Sequence, residues 1–331
     1  MLRLLRQWLR KADGLGEVAL PSPRGRSRFL ERTFKDSSAG AAERNGRREL
    51  DYRLFLPSGS SRRDGLPLMV MLHGCKQDSL TFAEGTRMNA LAEEGRFAVL
   101  YPQQCPRSNP LRCWNWFESA SLLGAGEAAL IARLIVRVTE RRPIDPRRVY
   151  VVGMSAGGAM ACVLAVRHSR LFAACATHSG VMYGAAHSPL QALAAMQSGA
   201  TAASIEGSRR MMREAGESAV TVPTLVIHGE QDTTVNPANA QQIIDQLKFR
   251  AEFIDPAGGA LLSSAELCID AERGYRQQDY TRQGSLVLRK ILIAGLAHAW
   301  SGGDERLEFN DAAGPAASRL VVDFVTQYQR A

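Results

Sequence analysis

Ser155 stands in the pattern Gly-x-Ser-x-Gly, after a short apolar run and before a segment of small residues. Val149 to Val152 are β-branched or aromatic, and such a run is typical of a fully buried strand. A strand, a sharp turn and a helix in this order form a nucleophile elbow, which exposes a serine hydroxyl at the turn. Gly153 and Gly157 favour such a turn because larger side chains there would collide with the neighbouring strand and helix. The pattern predicts a nucleophilic serine, and an ordinary tight turn between strand and helix is the alternative.

A serine hydroxyl needs a base to remove its proton and a further group to orient that base. After an elbow, these partners are expected in the order Asp then His, each behind a later strand. Asp232 follows the apolar run 222–228, and His298 follows the apolar run 286–293. The sequence therefore predicts that Ser155, Asp232 and His298 form a catalytic triad.

Three other residues compete for these roles. Glu230 lies two residues before Asp232 and could replace it, although its place near the strand end favours a structural turn. His228 ends a predicted strand and is expected to pack or bond locally. His178 precedes the expected acid and is therefore out of order.

Acyl transfer also requires N–H donors that point at the developing oxyanion. The backbone N–H of Ala156, directly after the serine, is one candidate. The second should come from the loop behind the predicted strand 68–72. In that loop Gly74 permits a close approach, and the backbone N–H of Cys75 is the candidate donor. A plain glycine turn is the alternative for this loop.

The elements that must position these residues alternate along the chain, which indicates a mainly parallel sheet with helices on both faces. The first two strands are predicted to be antiparallel, and 182–221 is predicted to be a small insertion after the sixth strand. The predicted strands are 32–35, 49–56, 68–72, 97–101, 149–152, 172–178, 222–228, 273–279 and 286–293. Besides the elbow helix, the predicted helices are 82–94, 127–141, 237–247 and 316–329.

The composition fits one α/β domain (29–331) that follows a short N-terminal part. The 331 residues are 45% hydrophobic and 22% charged, as in ordinary globular proteins. The net charge of +8 comes from scattered arginines without interleaved aromatic residues, which argues against nucleic-acid binding. No apolar stretch approaches the length of a membrane span.

Residues 1–28 are predicted to form an amphipathic helix and a flexible arm. Arg3, Arg6 and Arg10 interrupt the apolar residues at the start, so that no secretory signal is visible and a cytoplasmic location is expected. Residues 1–12 could lie on a granule or a membrane surface, or the helix could dock on its own domain.

The six cysteines do not form the framework of a small disulfide-rich protein. Cys162 and Cys175 lie in apolar segments and are expected to be small core residues. Cys75, Cys105 and Cys113 fall in loops near the predicted site, where one bridge among them could form. None of the cysteines has the spacing of zinc ligands.

Six short motifs, in this order along the chain, resemble those of the PHB depolymerase esterase family. They are His73-Gly74-Cys75, Tyr101-Pro102-Gln103-Gln104, Cys113-Trp114-Asn115-Trp116-Phe117, Gly153-Met154-Ser155-Ala156-Gly157-Gly158, His228-Gly229-Glu230-Gln231-Asp232-Thr233-Thr234-Val235 and His298-Ala299-Trp300-Ser301-Gly302-Gly303. Members of this family are α/β-hydrolases, related to feruloyl and acetylxylan esterases. The resemblance spans roughly residues 55 to 331 and implies an α/β-hydrolase fold. It also implies the same triad and an oxyanion hole formed by Cys75 and Ala156.

The resemblance implies a serine carboxylester hydrolase that acts through an acyl-enzyme and needs no metal or organic cofactor. The expected substrates are poly- or oligo-3-hydroxyalkanoates or similar short-chain esters. A feruloyl or acetylxylan esterase is one alternative, and a non-catalytic module that binds a granule or membrane is another. Family members are often secreted, which makes an extracellular location the alternative to the cytoplasm. The oligomeric state is not predicted.

Three tryptophans are candidates for substrate contact. Trp114 and Trp116 lie in the predicted loop 103–121, and Trp300 lies two residues after His298. Indole surfaces suit an apolar or aromatic acyl chain, and an indole N–H can orient an ester oxygen. The alternative is that these side chains only pack the loops onto the domain.

Overall fold

The computed structural model describes residues 26–36, 49–61, 65–214, 220–270 and 273–331. The predicted N-terminal helix, nearly all of the predicted arm and most of the connection between the first two strands lie outside these ranges. Within the described ranges, no helix combines the length and the apolar character that crossing a membrane requires.

The described residues form a mixed eleven-stranded sheet and a separate two-stranded sheet. The strands are β1 (Arg28–Lys35), β2 (Glu49–Leu56), β3 (Leu66–Leu72), β4 (Ala98–Gln103), β5 (Ile144–Met154), β6 (Ala174–His178), β7 (Thr224–Gly229), β8 (Leu262–Ser263), β9 (Leu267–Ile269), β10 (Tyr275–Arg282), β11 (Ser285–Ile293), β12 (Trp300–Ser301) and β13 (Asn310–Asp311). The large sheet has the order β1-β2-β4-β3-β5-β6-β7-β11-β10-β8, and β9 also pairs with β10. The strands from β4 to β11 in this order are parallel, and those outside them are antiparallel.

Helices cover both faces of the large sheet. They are α1 (Ser79–Thr86), α2 (Met88–Gly95), α3 (Ser119–Leu122), α4 (Gly126–Arg141), α5 (Ala156–Arg167), α6 (Pro189–Ser198), α7 (Ala202–Glu214), α8 (Ala238–Ile254) and α9 (Ala317–Val325). Side chains of α4, α5 and α8 belong to one hydrophobic cluster, whereas those of α1, α2 and α9 belong to another. The architecture confirms the predicted α/β fold with a mainly parallel sheet, and α6 and α7 form the insertion after β6.

The apolar runs of the central strands result from burial on both sides. In β3, Leu68, Val70 and Leu72 point into the first cluster, while Met69 and Met71 point into the second. Successive side chains of a strand face opposite sides of a sheet, so a strand covered by helices on both faces must be apolar throughout. The same pattern in β5 leads directly to the serine.

One element prediction needs correction. The helix predicted over 82–94 is two helices, because the backbone of Arg87 takes a left-handed conformation with φ 54° and its N–H bonds to the carbonyl of Glu84. Arginine carries no local signal for such a break. The strands predicted over 273–279 and 286–293 are confirmed as β10 and β11, which pair as an antiparallel hairpin at the end of the parallel strands.

Candidate active site

Ser155 occupies the sharp turn between β5 and α5. Its backbone has φ 56° and ψ −122°, a conformation that residues with a side chain rarely adopt, and its N–H donates to the carbonyl of His178 at 2.9 Å. A side chain at Gly153 would collide with the carbonyl of Gly157, and one at Gly157 would collide with the carbonyl of Leu72. The two glycines of the motif are therefore required by close backbone contacts, as the sequence pattern predicts.

The loops behind β7 and β11 bring Asp232 and His298 together. The Nδ1 atom of His298 lies 2.8 Å from Oδ2 of Asp232. The other carboxylate oxygen accepts the N–H groups of Thr234 and Val235 at 3.0 and 2.8 Å. Burial alone would raise the pKa of Asp232, but the hydrogen bond and charge of His298 and the Val235 N–H outweigh it and lower this pKa. The carboxylate is therefore charged and held in one orientation.

The competing acid and histidine have other partners. The carboxylate of Glu230 is turned to Arg276, whose guanidinium nitrogens lie 2.6 and 2.9 Å from Oε1. His228 is fully buried, and its Nε2 lies 2.8 Å from the carbonyl of Val235 and 3.6 Å from the carboxylate of Asp232. Burial lowers the pKa of His228, which favours a neutral ring behind the acid. Of the two candidate acids, only Asp232 meets the imidazole of residue 298.

Ser155 and His298 line one small cleft of about 190 Å³ at the carboxyl ends of the parallel strands. No hydrogen bond joins the serine hydroxyl to the imidazole in this structure; such bonds often tighten only when substrate is present.

The cleft also contains apolar and polar side chains that the sequence did not predict: Met154, Met196, Phe309, Lys76, Gln77 and Thr234. Met196 lies in α6 and Phe309 precedes β13. Neither residue belongs to the motifs that predicted the site, so the sequence did not indicate them. Gln77 could have been found from its place in the loop of Cys75.

The two predicted oxyanion donors are available. Neither the N–H of Cys75 nor that of Ala156 donates to a protein acceptor within the described residues. Their neighbours in the first loop are fixed, because the N–H of Gly74 donates to Oε1 of Gln77 at 2.8 Å and that of Lys76 donates to the carbonyl of Leu111 at 2.6 Å. Cys75 lines the cleft, and Ala156 directly follows the serine that lines it. Two backbone N–H groups that have no partner among the described residues are suited at this place to hold an anionic oxygen.

The bridge that the sequence left open joins Cys75 to Cys113, and Cys105 is a free thiol. It ties the loop after β3 to the loop after β4. The carboxylate of Glu127 on α4 also holds this second loop, since it accepts the N–H of Asn115 at 2.8 Å and the side-chain amide of Gln104 at 2.7 Å. The loop that carries one oxyanion donor is thus anchored on two sides.

The three tryptophans are buried away from the cleft, which corrects the expectation of direct substrate contact. The indole N–H of Trp114 donates to the carbonyl of His73 at 3.1 Å, and Trp116 packs edge-to-face on Phe117. Trp300 stacks on the ring of His178. These indoles hold the loops of the site in place, so the packing alternative describes them better.

Within the described residues, no group of three or more His, Cys, Asp or Glu side chains is arranged to hold a metal ion. Three further histidines near the site (His73, His178 and His228) are buried. Burial lowers the pKa of His73 to about 4 and that of His178 to about 3, so both rings are neutral near neutral pH. His298, whose side chain is 11% exposed, is therefore the histidine that a molecule in the cleft can reach.

The family model described as esterase PHB depolymerase matches residues 50–266. Poly(3-hydroxyalkanoate) depolymerase C of Paucimonas lemoignei is 35% identical over 195 residues, which cover 58% of this chain and 46% of that protein. Probable acetylxylan esterase A of Neosartorya fischeri is 27% identical over 201 residues, which cover 58% of this chain and 53% of the relative. The chain thus spans about half the length of these curated relatives.

Solved structures agree on the fold. An acetyl xylan esterase from Aspergillus awamori matches with a TM-score of 0.63 at 20% identity and covers 83% of this chain and 94% of its own. A thermostable esterase matches with a TM-score of 0.52 at 19% identity, covering 91% of this chain and 63% of its own. At such identities the likeness concerns the fold alone, whereas the family model matches more than half of the sequence. The chain belongs to the PHB depolymerase esterase family of the α/β-hydrolase superfamily.

Proposed function

We propose that this protein is a serine carboxylester hydrolase in which Ser155, His298 and Asp232 form the catalytic triad. The observation that carries the proposal is the hydrogen bond of 2.8 Å between His298 and Asp232, at a cleft that also contains the strained elbow serine. This arrangement can activate a hydroxyl group. It combines a serine with a strained backbone, a histidine in the same cleft and a buried carboxylate behind that histidine.

In the proposed reaction, the hydroxyl of Ser155 attacks the ester carbonyl while Nε2 of His298 takes its proton. The N–H groups of Cys75 and Ala156 donate to the oxyanion of the tetrahedral intermediate. His298 then gives the proton to the departing alcohol, which leaves an acyl-enzyme. A water molecule repeats the sequence, releasing the carboxylic acid and restoring the serine. Asp232 stabilises the imidazolium in both halves and keeps its ring in the required orientation.

The substrates we propose are oligomers of 3-hydroxyalkanoates or similar short-chain esters. The cleft beside Ser155 has a volume of about 190 Å³ and apolar walls from Met154, Met196 and Phe309. Such a space suits a short acyl chain better than a bulky aromatic acid. The relative with the highest identity quoted above is named as a poly(3-hydroxyalkanoate) depolymerase, which supports the same substrate class.

A substrate panel tests this proposal. Three substrates are compared by their kcat/KM values: the methyl ester of the 3-hydroxybutyrate dimer, acetylated xylo-oligosaccharides and methyl ferulate. The purified protein is expected to have the highest kcat/KM for the first, from which it releases 3-hydroxybutyrate. One missing apolar contact changes the ratio of kcat/KM between two substrates by about 10- to 200-fold. We therefore expect the kcat/KM for the dimer ester to be at least tenfold higher than that for either other substrate. A higher kcat/KM for methyl ferulate or the acetylated sugar would instead support the feruloyl or acetylxylan alternative. Absence of turnover on all three would contradict the proposed function.

The disulfide also leads us to propose that the protein works in an oxidising compartment rather than in the cytoplasm, since cytoplasmic thiols are kept reduced. The bridge between Cys75 and Cys113 leaves four of the six cysteines free. Protein isolated from its native cells under thiol-blocking conditions is expected to carry four alkylated cysteines after denaturation without reductant. Six alkylated cysteines would contradict this location and support a location in the cytoplasm.

A further inference from the structure

The side chain of Gln77 is held in a single orientation at the wall of the cleft. Its Oε1 atom accepts the backbone N–H of Gly74 at 2.8 Å. A backbone N–H can only donate, so the oxygen of the amide must face Gly74 and the NH₂ group must take the other position. The O and N atoms of this amide are therefore assigned by the chemistry of the bond.

The NH₂ group of Gln77 has no acceptor among the described residues, although the residue is only 5% exposed. Most polar side-chain atoms of buried residues have at least one hydrogen-bond partner. Gln77 lines the cleft together with Ser155 and His298. A donor that is fixed, almost buried and without a protein partner at this place is suited to an acceptor that substrate brings.

The surroundings of Gly74 show how near this amide is to the nucleophile. The position where a Cβ atom of Gly74 would stand is 3.0 Å from Oε1 of Gln77 and 3.4 Å from Cβ of Ser155. The next residue along the chain is Cys75, whose N–H is the proposed oxyanion donor. The acceptor that every ester brings to this place is its carbonyl oxygen, which becomes the oxyanion.

We propose that the Nε2–H group of Gln77 is a third donor to the oxyanion, beside the N–H groups of Cys75 and Ala156. An alkoxide oxygen has three lone pairs, and one side-chain donor in such a site commonly accounts for a large part of the rate. The inference rests on the proposed function and assigns Gln77 as a further catalytic residue. Its oxygen organises the loop through Gly74, while its nitrogen contacts the reacting oxygen.

Two variants separate these roles. Gln77→Glu keeps an acceptor for the N–H of Gly74 but removes the donor, and Gln77→Met removes the donor without adding charge. Both are expected to lower kcat for p-nitrophenyl butyrate and for p-nitrophenyl acetate by about 100-fold, with KM little changed. The inhibition constant of butylboronic acid, which forms a tetrahedral adduct, should rise as kcat/KM falls. Thermal unfolding of Gln77→Glu should stay close to that of the unchanged protein.

Gln191→Glu is the matched control, because Oε1 of Gln191 also accepts a backbone N–H, that of His187 at 2.9 Å, on the exposed start of α6. This variant should keep the unchanged kcat.

Three results would overturn the inference. They are an unaltered kcat in both variants; loss in Gln77→Met but not in Gln77→Glu, which would assign only the acceptor; and loss in Gln77→Glu alone, which would reflect charge. All three require an active enzyme, so they would leave Ser155 as the nucleophile, whereas failure of the proposed function removes turnover by the unchanged protein or its dependence on Ser155.

Discussion

Replacement of Ser155 by alanine is expected to lower kcat for p-nitrophenyl butyrate by about 10⁶-fold, which brings turnover to the background rate. The reason is that, among the described residues that line the cleft, only Thr234 carries another hydroxyl group, while the sulfur of Cys75 is held in the disulfide. Alanine and serine have similar backbone preferences, so the unusual conformation of the turn is no less accessible to the variant. The rate is measured in initial-velocity assays with equal concentrations of folded protein.

Ser179→Ala serves as the control for this variant. Ser179 is also buried and also has a positive φ, of 50°, but it does not line the cleft. Its replacement should leave kcat close to that of the unchanged protein. If Ser155→Ala retained turnover that exceeds the background, while its thermal unfolding matched that of the unchanged protein, the nucleophile would have to be another group.

Replacement of Asp232 by asparagine is expected to lower kcat by about 10⁴-fold. The N–H groups of Thr234 and Val235 require an acceptor at the position of Oδ1, so the amide oxygen must take that place. The NH₂ group then faces Nδ1 of His298, which can only accept this bond when its proton has moved to Nε2. A ring protonated at Nε2 cannot take the proton of Ser155. The effect is measured as kcat for p-nitrophenyl butyrate from pH 6 to 9.

Glu230→Gln is the matched control for the acid, because it makes the same chemical change two residues earlier. It removes an exposed ion pair with Arg276, which contributes little to stability, and should leave kcat nearly unchanged. A loss in Glu230→Gln as large as that in Asp232→Asn would mean that the loop rearranges and that the acid has been misassigned.

Much of this site could be predicted from the sequence because a strongly constrained backbone restricts the residue types that can stand at neighbouring positions. Gly153 and Gly157 are required by close contacts with neighbouring carbonyls, and the apolar run before them is required by burial on both faces of the sheet. The places of Asp232 and His298 followed from the same logic, since each comes directly behind a buried parallel strand. Parallel strands end at one edge, so residues behind them meet there.

The direction in which a side chain faces could not be predicted in the same way. An aromatic residue near His298 is compatible with substrate contact, yet Trp300 points into the cluster on one face of the sheet, where its N–H bonds to Ser318. Met196 and Phe309, which do line the cleft, have no motif around them. Cysteine pairing likewise depends on where loops meet, and three cysteines in two loops allow more than one bridge. The break at Arg87 occurs without the glycine or asparagine that usually marks a left-handed helix end, so the residue type did not predict it.

The central claim is tested most directly by labelling with a fluorophosphonate, which reacts with an activated serine. Mass spectrometry of the intact labelled protein should show a single adduct, fragmentation should locate it on Ser155, and activity should fall in proportion to labelling. An adduct on another residue, or full esterase activity without any adduct, would contradict the account.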